Sequence, residues 1–426
     1  MAYDVGTARG VIKIDYDGTG VKKAQQDVEG LDDTGKKSAA SLGKIGTVAG
    51  RAGLVIAAGL GAGVAAAANF EQRLSAISAV SGATSGEMDK IRAKALQLGK
   101  DTAFSAGESA QAMEELIKAG LSVDDVLNGA ADATVALAAA GEVALPEAAA
   151  ISANAMNQFG LSAKDMVGVT DDIAGAANAS AIDVSEFGMS LQQVGAVANL
   201  AGVSFHDTAT AIALMGNAGI KGSDAGTSLK SMFSRLQPTT KKQADLFKEL
   251  GIITEDGTNK FYDQAGNLKS LDKVSGILQN SLKGMTAQQK QATLQTLFGS
   301  DAIRAAAVLS KSGADGFNKM SDAMGKVSAA DVAAKRLDNF KGSLEQMKGS
   351  LETLGITLGT ILLPPLRQIV DALTAAMNWF LNLGSGAQTA VVGILAFVAG
   401  ALLVVSAIVK IVQAAQTIRA LSLIHI

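Results

Sequence analysis

Four prolines in 426 residues constrain this chain more than any other feature. They stand at 146, 238 and the adjacent pair 364–365, so long stretches are free to be helical. Helix ends must then come from glycine and from capping side chains. Glycine is abundant, at 47 residues, and three of these recur in one setting. The segments Ala119-Gly120-Leu121-Ser122-Val123-Asp124-Asp125, Phe159-Gly160-Leu161-Ser162-Ala163-Lys164-Asp165 and Ala201-Gly202-Val203-Ser204-Phe205-His206-Asp207 place their glycines 40 and 42 residues apart. In each, glycine can take the left-handed conformation just past a helix end. The serine is an N-cap, and the aspartate three positions later closes a variant capping box, in the pairs Ser122/Asp125, Ser162/Asp165 and Ser204/Asp207. The helices leading into these junctions have start signals of their own: Ser105 with Glu108, Pro146-Glu147, and Asp183 with Glu186. Residues 105–217 therefore read as three helical hairpins with a period near 41, either as an open array or closed into a globular bundle.

The expected fold class is all-α. Helical hairpins form the core, with a short N-terminal strand, a small β-hairpin near 260–269 and apolar C-terminal helices. The strand is read from the alternation Val11-Ile12-Lys13-Ile14-Asp15-Tyr16 before Asp17-Gly18. The hairpin is read from Lys260 to Lys269 around Ala265-Gly266-Asn267. Five regions follow. Residues 1–37 hold the strand and a helix, and 38–69 form a Gly/Ala-rich apolar helix. Residues 70–237 are the hairpin core, 238–340 a second helical region with the small hairpin, and 341–426 the apolar helices. In the second region, Gly46/Gly50 and Gly59/Gly63 have the four-residue spacing that lets helices approach closely. Its apolar stretch 54–68 falls short of the roughly 20 residues that span a bilayer. The run 390–409 reaches that length without a charge and is a candidate transmembrane segment; the alternative is a helix buried in a helical assembly. Upstream of it, 354–383 is amphipathic, broken by Pro364-Pro365 and ending near Trp379-Phe380.

Several chemistries are excluded or disfavoured. The chain has no cysteine, so it can hold no disulfide, thiolate metal site or cysteine nucleophile. With only His206 and His425, a histidine metal cluster is not expected. A net charge of -3 argues against binding nucleic acid through bulk charge. Glu114-Glu115, Asp124-Asp125 and Asp171-Asp172 are carboxylate pairs on amphipathic helices, where neighbours point to different faces, and they read as solvated or capping residues. His206 reads as a capping-loop residue, with no nucleophile or partner histidine beside it. Gly216 to Gly226 is the densest glycine loop, yet it lacks the Gly-x-x-x-x-Gly-Lys-Ser/Thr spacing of a phosphate loop and reads as a helix-docking loop. No catalytic residue, cofactor or metal site is expected. Asp4, Lys13, Asp15 and Asp17 break the start of the chain against a signal peptide, so synthesis in a cytosol is the default.

A string of motifs runs in order from 70 to about 300: Phe70-Glu71, Thr102-Ala103-Phe104-Ser105-Ala106-Gly107-Glu108-Ser109-Ala110, Ala119-Gly120-Leu121, Asn157-Gln158-Phe159-Gly160-Leu161, Val194-Gly195-Ala196-Val197-Ala198, and Gly219-Ile220-Lys221-Gly222-Ser223 to Gly226-Thr227-Ser228-Leu229. Together they resemble the core of the tail tape-measure proteins of long-tailed bacteriophages and prophages. The apolar segments at 54–68 and 390–409 resemble that family too. The resemblance implies a structural protein in the lumen of the phage tail, made in the host cytoplasm. Several copies would extend along the tail axis, recruit tail assembly chaperones and template polymerisation of the tail tube protein. They would set tube length and leave at DNA ejection, with possible contact of 390–409 and 54–68 with the host membrane, and without sequence-specific binding of nucleic acid. Some family members carry cell-wall hydrolase domains, and no such constellation stands in these residues.

Even wholly helical, 426 residues would span only about 640 Å at 1.5 Å per residue, and the ruler section of such proteins is not evident. The closing Leu-Ile-His-Ile has no helix stop, so an N-terminal fragment of a longer chain is the expectation. The alternative of a different class is a membrane-active, pore-forming or toxin-like helical protein that inserts through 54–68 and 390–409.

Overall fold

The computed structural model describes residues 61–384, 387–389 and 391–392. The strand expected at 11–16, the glycines at 43–59 and nearly all of the 390–409 run lie outside these residues. Helix α1 covers 61–81. It is followed by α2 (Ser85–Asp101), α3 (Ala106–Lys118), α4 (Ala131–Gly141), α5 (Leu145–Phe159), α6 (Met166–Ala179) and α7 (Val184–Leu200). Then come α8 (Phe205–Asn217), α9 (Gly222–Phe233), α10 (Lys241–Glu249), α11 (Leu271–Ser281), α12 (Ala287–Met324), α13 (Ala329–Leu337) and α14 (Phe340–Leu381).

Local chemistry sets most of these ends. Reciprocal capping boxes start α2 (Thr84/Glu87), α3 (Ser105/Glu108), α7 (Asp183/Glu186), α10 (Thr240/Gln243), α12 (Thr286/Gln289) and α13 (Ser328/Asp331). One glycine stop recurs. Gly120, Gly160 and Gly202 have φ of 101°, 62° and 80°. The residue after each glycine donates its N–H five residues back: Leu121 to Leu116 O, Leu161 to Met156 O and Val203 to Ala198 O, at 2.9–3.2 Å. Gly219 and Gly251 repeat the device, with Ile220 bonded to Met215 O and Ile252 to Phe247 O. These two stops fall 17 and 49 residues after Gly202, so the 41-residue spacing does not continue past the third junction.

Between residues 106 and 324 the helices stack in two layers. α3 packs on α5, α5 on α7 and α7 on α9; in the second layer α4 packs on α6, α6 on α8 and α8 on α12. Small residues allow the close spacing. A Cβ on Gly226 of α9 would lie 2.2 Å from Ser190 O of α7, and one on Gly175 of α6 would lie 2.5 Å from Met324 O. Alanines fill much of the core. Phe205 stands edge-on to Phe159 at 5.4 Å and to Phe187 at 6.4 Å, tying α8 to α5 and α7, and Phe247 of α10 meets Phe261 edge-on at 6.0 Å.

α12 bends at Gly299 and Gly313, with φ of 74° and 61°. Neighbouring side chains take up carbonyls around these breaks: Arg235 binds Phe298 O, Gln243 donates to Leu297 O at 3.1 Å, and Gln279 donates to Lys311 O at 3.3 Å. Between the bends, the Ser228 hydroxyl of α9 inserts into the ladder of α12. It donates to Asp301 O at 2.7 Å and accepts from Ala305 N at 3.0 Å.

The β-hairpin expected near 260–269 is corrected by the structure. No strand occurs among the described residues, and this region holds only the isolated bridges Ile253↔Asn259 and Tyr262↔Leu268. Asp263 is the reason. Its carboxylate accepts the N–H groups of Ala265 and Asn267 at 2.9 and 2.8 Å, closing a turn on itself before a ladder can extend. Lys269 N reaches Phe261 O, and the chain then enters α11. Among the described residues the helical part of the expectation stands and the β-hairpin does not.

Candidate functional site

The junction residues Gly120, Ser122, Asp125, Gly160, Ser162, Asp165, Gly202, Ser204 and Asp207 sit at exposed or half-buried corners of the two layers. Ser122 and Asp125 form a reciprocal box, as do Ser162 and Asp165. The hydroxyl contact holds the Asp165 carboxyl below its usual range. Asn157, just before the second junction, donates its side-chain amide to Ala119 O at 2.9 Å and so joins the first two corners. The third corner differs. Ser204 accepts from Asp207 N at 3.0 Å, while the Asp207 carboxylate turns away to accept the Leu271 N–H at 2.8 Å. Asp207 caps α11 across 64 residues of sequence instead of closing its own box. Burial pushes its pKa up.

Beside it, His206 lies in the first turn of α8 instead of the capping loop, and its ring nitrogens meet a carboxylate and a serine hydroxyl that no local spacing announced. Nδ1 is 2.7 Å from Asp172 Oδ1 of α6, and Nε2 is 2.7 Å from Ser321 Oγ of α12. The hydrogen bond to Asp172 raises the imidazole pKa, against a smaller lowering by burial. The neighbouring Asp171 accepts the Ala329 N–H at 2.8 Å and caps α13. The Asp171-Asp172 pair thus holds two distant segments, joined over sequence separations that no local pattern reveals.

Aspartate, histidine and serine in this order have the connectivity of a nucleophile relay. The setting opposes that chemistry. Ser321 lies in the last turn of α12, whose carbonyl end is the negative pole of the helix, where an oxyanion would be disfavoured. The imidazole side chain is 42% exposed. The cluster serves as a clamp among α6, α8 and α12. Among the described residues, no group of three or more His, Asp or Glu is placed to hold a metal ion.

The least covered helix is α14, which packs on α2 and α1 by one face. Its buried residues, Gly342, Gly349, Thr353, Ile356 and Gly359, lie on one face. Backbone contact fixes that face: a Cβ on Gly349 would meet Phe104 O at 2.8 Å, and one on Gly359 would meet Gly63 O of α1 at 2.2 Å. The other side displays Met347, Leu351, Leu354, Leu358 and Ile361, and past Pro364-Pro365 also Ile369, Leu373, Met377 and Trp379, all exposed. By length and composition α14 could cross a membrane, with mean hydropathy 1.3 over its most apolar window.

Residues 92–299, from α2 to the first bend of α12, match the family model of the phage-related minor tail proteins. The chain is 33% identical over 328 residues to the tape measure protein of Pneumococcus phage Dp-1, covering 76% of this chain and 28% of the relative. It is 34% identical over 284 residues to the probable tape measure protein of Escherichia phage P2, covering 65% of this chain and 33% of the relative. The chain belongs to the phage tail tape-measure proteins. It spans about a third or less of the length of these two relatives. No solved structure matches it. A tape-measure protein is a structural component of the tail, and the membrane-active alternative finds no support among these matches.

Proposed function

We propose that this protein acts in the lumen of a phage tail, where it templates assembly of the tail tube, contributes to its length and leaves at DNA ejection. The match to two tape measure proteins over most of the chain carries this reading. The two-layer array at 106–324 then serves as a folded head, and α14 as the start of an axial rod. Forty-two helical residues extend about 63 Å at 1.5 Å per residue. The partners proposed are the tail tube protein, the tail assembly chaperones and further copies of the chain. The host membrane is met through 390–409 and 54–68 on ejection.

The nine junction residues have a structural role in this scheme: they hold the corners of the head. The chain is divided at 37, 69, 237 and 340, with the assembly contacts assigned to 70–237, the axial contacts to 341–426, and the membrane contacts to 390–409 and 54–68. The work is assembly, without a catalytic step.

Inactivating the gene in its phage or prophage and imaging the lysate tests this reading. Full heads without tails are expected, with tails restored by the gene in trans. Tails of normal length and number in the null strain would overturn it.

A further inference from the structure

A cleft of about 540 Å³ opens where α11 meets the two limbs of α12 on either side of Gly299. The first limb lines it with Ala287, Lys290 and Leu294, and the second with Ile303, Ala307 and Lys311, each set at the three- and four-residue spacing of one helix face. Leu282 and Leu294 make a buried floor, and Ile303 is half-buried beside them. Ala287 and Ala307 are exposed, and being small they leave a furrow between the limbs. A furrow walled by three helical segments accepts the ridge of a fourth. Its charge is one-sided. Each limb contributes one lysine, no Asp or Glu lines the cleft, and neither Lys290 nor Lys311 has an acidic partner among the described residues. Residues 273–311 carry five Lys or Arg against Asp301 alone, in a chain of net charge -3. Four other clefts among the described residues mix the signs, with Glu142 beside Arg336 in one and Glu71 beside Arg367 in another.

We propose that this cleft receives an amphipathic helix of a different protein, whose apolar stripe enters the furrow and whose flanking Asp or Glu side chains meet Lys290 and Lys311. The inference goes beyond the tail-assembly role and does not depend on it. Three observations select this occupant. The floor is recessed between helices, so a flat bilayer surface, which covers protruding apolar faces, would not reach Leu282 and Leu294. The same face of a second copy is itself basic, so pairing face to face would set lysine against lysine. A lysine on each limb, with no acid between them, matches a helix that carries carboxylates on both sides of its apolar stripe. Both ammonium groups can make these ion pairs without giving up another.

A photoreactive benzoylphenylalanine in place of the exposed Ala307, introduced into the full chain in the phage-producing host, reads the occupant directly. A light-dependent adduct with one other protein is expected, and its linked peptide should be amphipathic with Asp or Glu on both sides of the apolar stripe. The same probe in place of Lys164, exposed at the second corner, is expected to give no such adduct. The double variant Lys290→Glu/Lys311→Glu alters two exposed, unpaired side chains. It should keep its helical circular dichroism and melting temperature while the adduct at 307 falls several-fold. Lys290→Arg/Lys311→Arg keeps both charges and should keep the adduct. No adduct at 307, an equal adduct from position 164, or an adduct indifferent to the charge reversal would overturn the proposal. So would an adduct with phospholipid or with a second copy of the chain, which would assign the cleft to a bilayer or to self-association. Purified tails are probed separately: a chain absent from them would sink the tail reading and leave the cleft standing.

Discussion

At the scale of residues, two glycine types carry different physical burdens, and substitutions separate them. Gly160 has φ 62° with nothing within 4 Å of the position a Cβ would occupy. Gly160→Ala therefore costs only the left-handed backbone, about 1 kcal/mol. Gly226 has ordinary helical torsions but no room, because its Cβ would press on Ser190 O and the Gln193 side chain. Gly226→Ala should cost about 1–3 kcal/mol through forced separation of α7 and α9. Chemical denaturation of both variants checks the order; a Gly160 variant hurt more than the Gly226 variant would contradict it. His206 gives a pH prediction. Its folded pKa is raised chiefly by Asp172, so the stabilising charge is fully present below the unfolded value near 6.5 and is lost as pH rises through the folded pKa. The carboxylate of Asp207 also faces this imidazole, and that of Asp272 faces Asp207. With the ring this exposed, the effect is about 1 kcal/mol or less. Melting temperature should fall on going from mildly acidic to mildly alkaline buffer, and His206→Gln should flatten that slope. An identical slope in the variant would show that the clamp does not titrate as assigned.

At the scale of elements, helix boundaries were legible because they are set within six residues of chain. Gly120 and Gly160 with their serine caps behave as local backbone chemistry demands. Asp207 shows where such reading stops. Its spacing from Ser204 matches a capping box, but α11 arrives from 64 residues away and offers a competing N–H. The region 260–269 shows a second limit: the turn residues were recognised, yet Asp263 satisfies the turn so fully that no ladder follows. The face that α14 presents is decided by the glycines that dock it, Gly349 and Gly359, whose partners lie in distant parts of the sequence. Ser228 belongs to neither class. Its hydroxyl replaces a helical hydrogen bond of α12 with two bonds of its own. Ser228→Ala would leave Asp301 O and Ala305 N to close directly on each other only if α12 shifts. A loss of about 1–2 kcal/mol is expected, and Ser228→Thr, which keeps the hydroxyl, should recover part of it if the extra methyl fits. An unchanged stability in the alanine variant would mean that α12 relaxes freely there.

At the scale of the whole molecule, burial is unevenly distributed along the chain, and that predicts uneven opening. Helices α3 to α9 each bury several residues between the two layers, while α14 beyond Gly359 has no buried residue. Pro364 and Pro365 further remove two N–H donors from its ladder. Local opening free energy follows such packing, so amides of 366–381 should exchange with deuterium well before those of α5, α7 and α8. Residues 344–361 are the informative intermediate case. Docked through one face alone, they should exchange at a rate between these extremes in dilute protein. Exchange that is uniform from α5 to residue 381 would remove the distinction between a folded head and a helix held by one face.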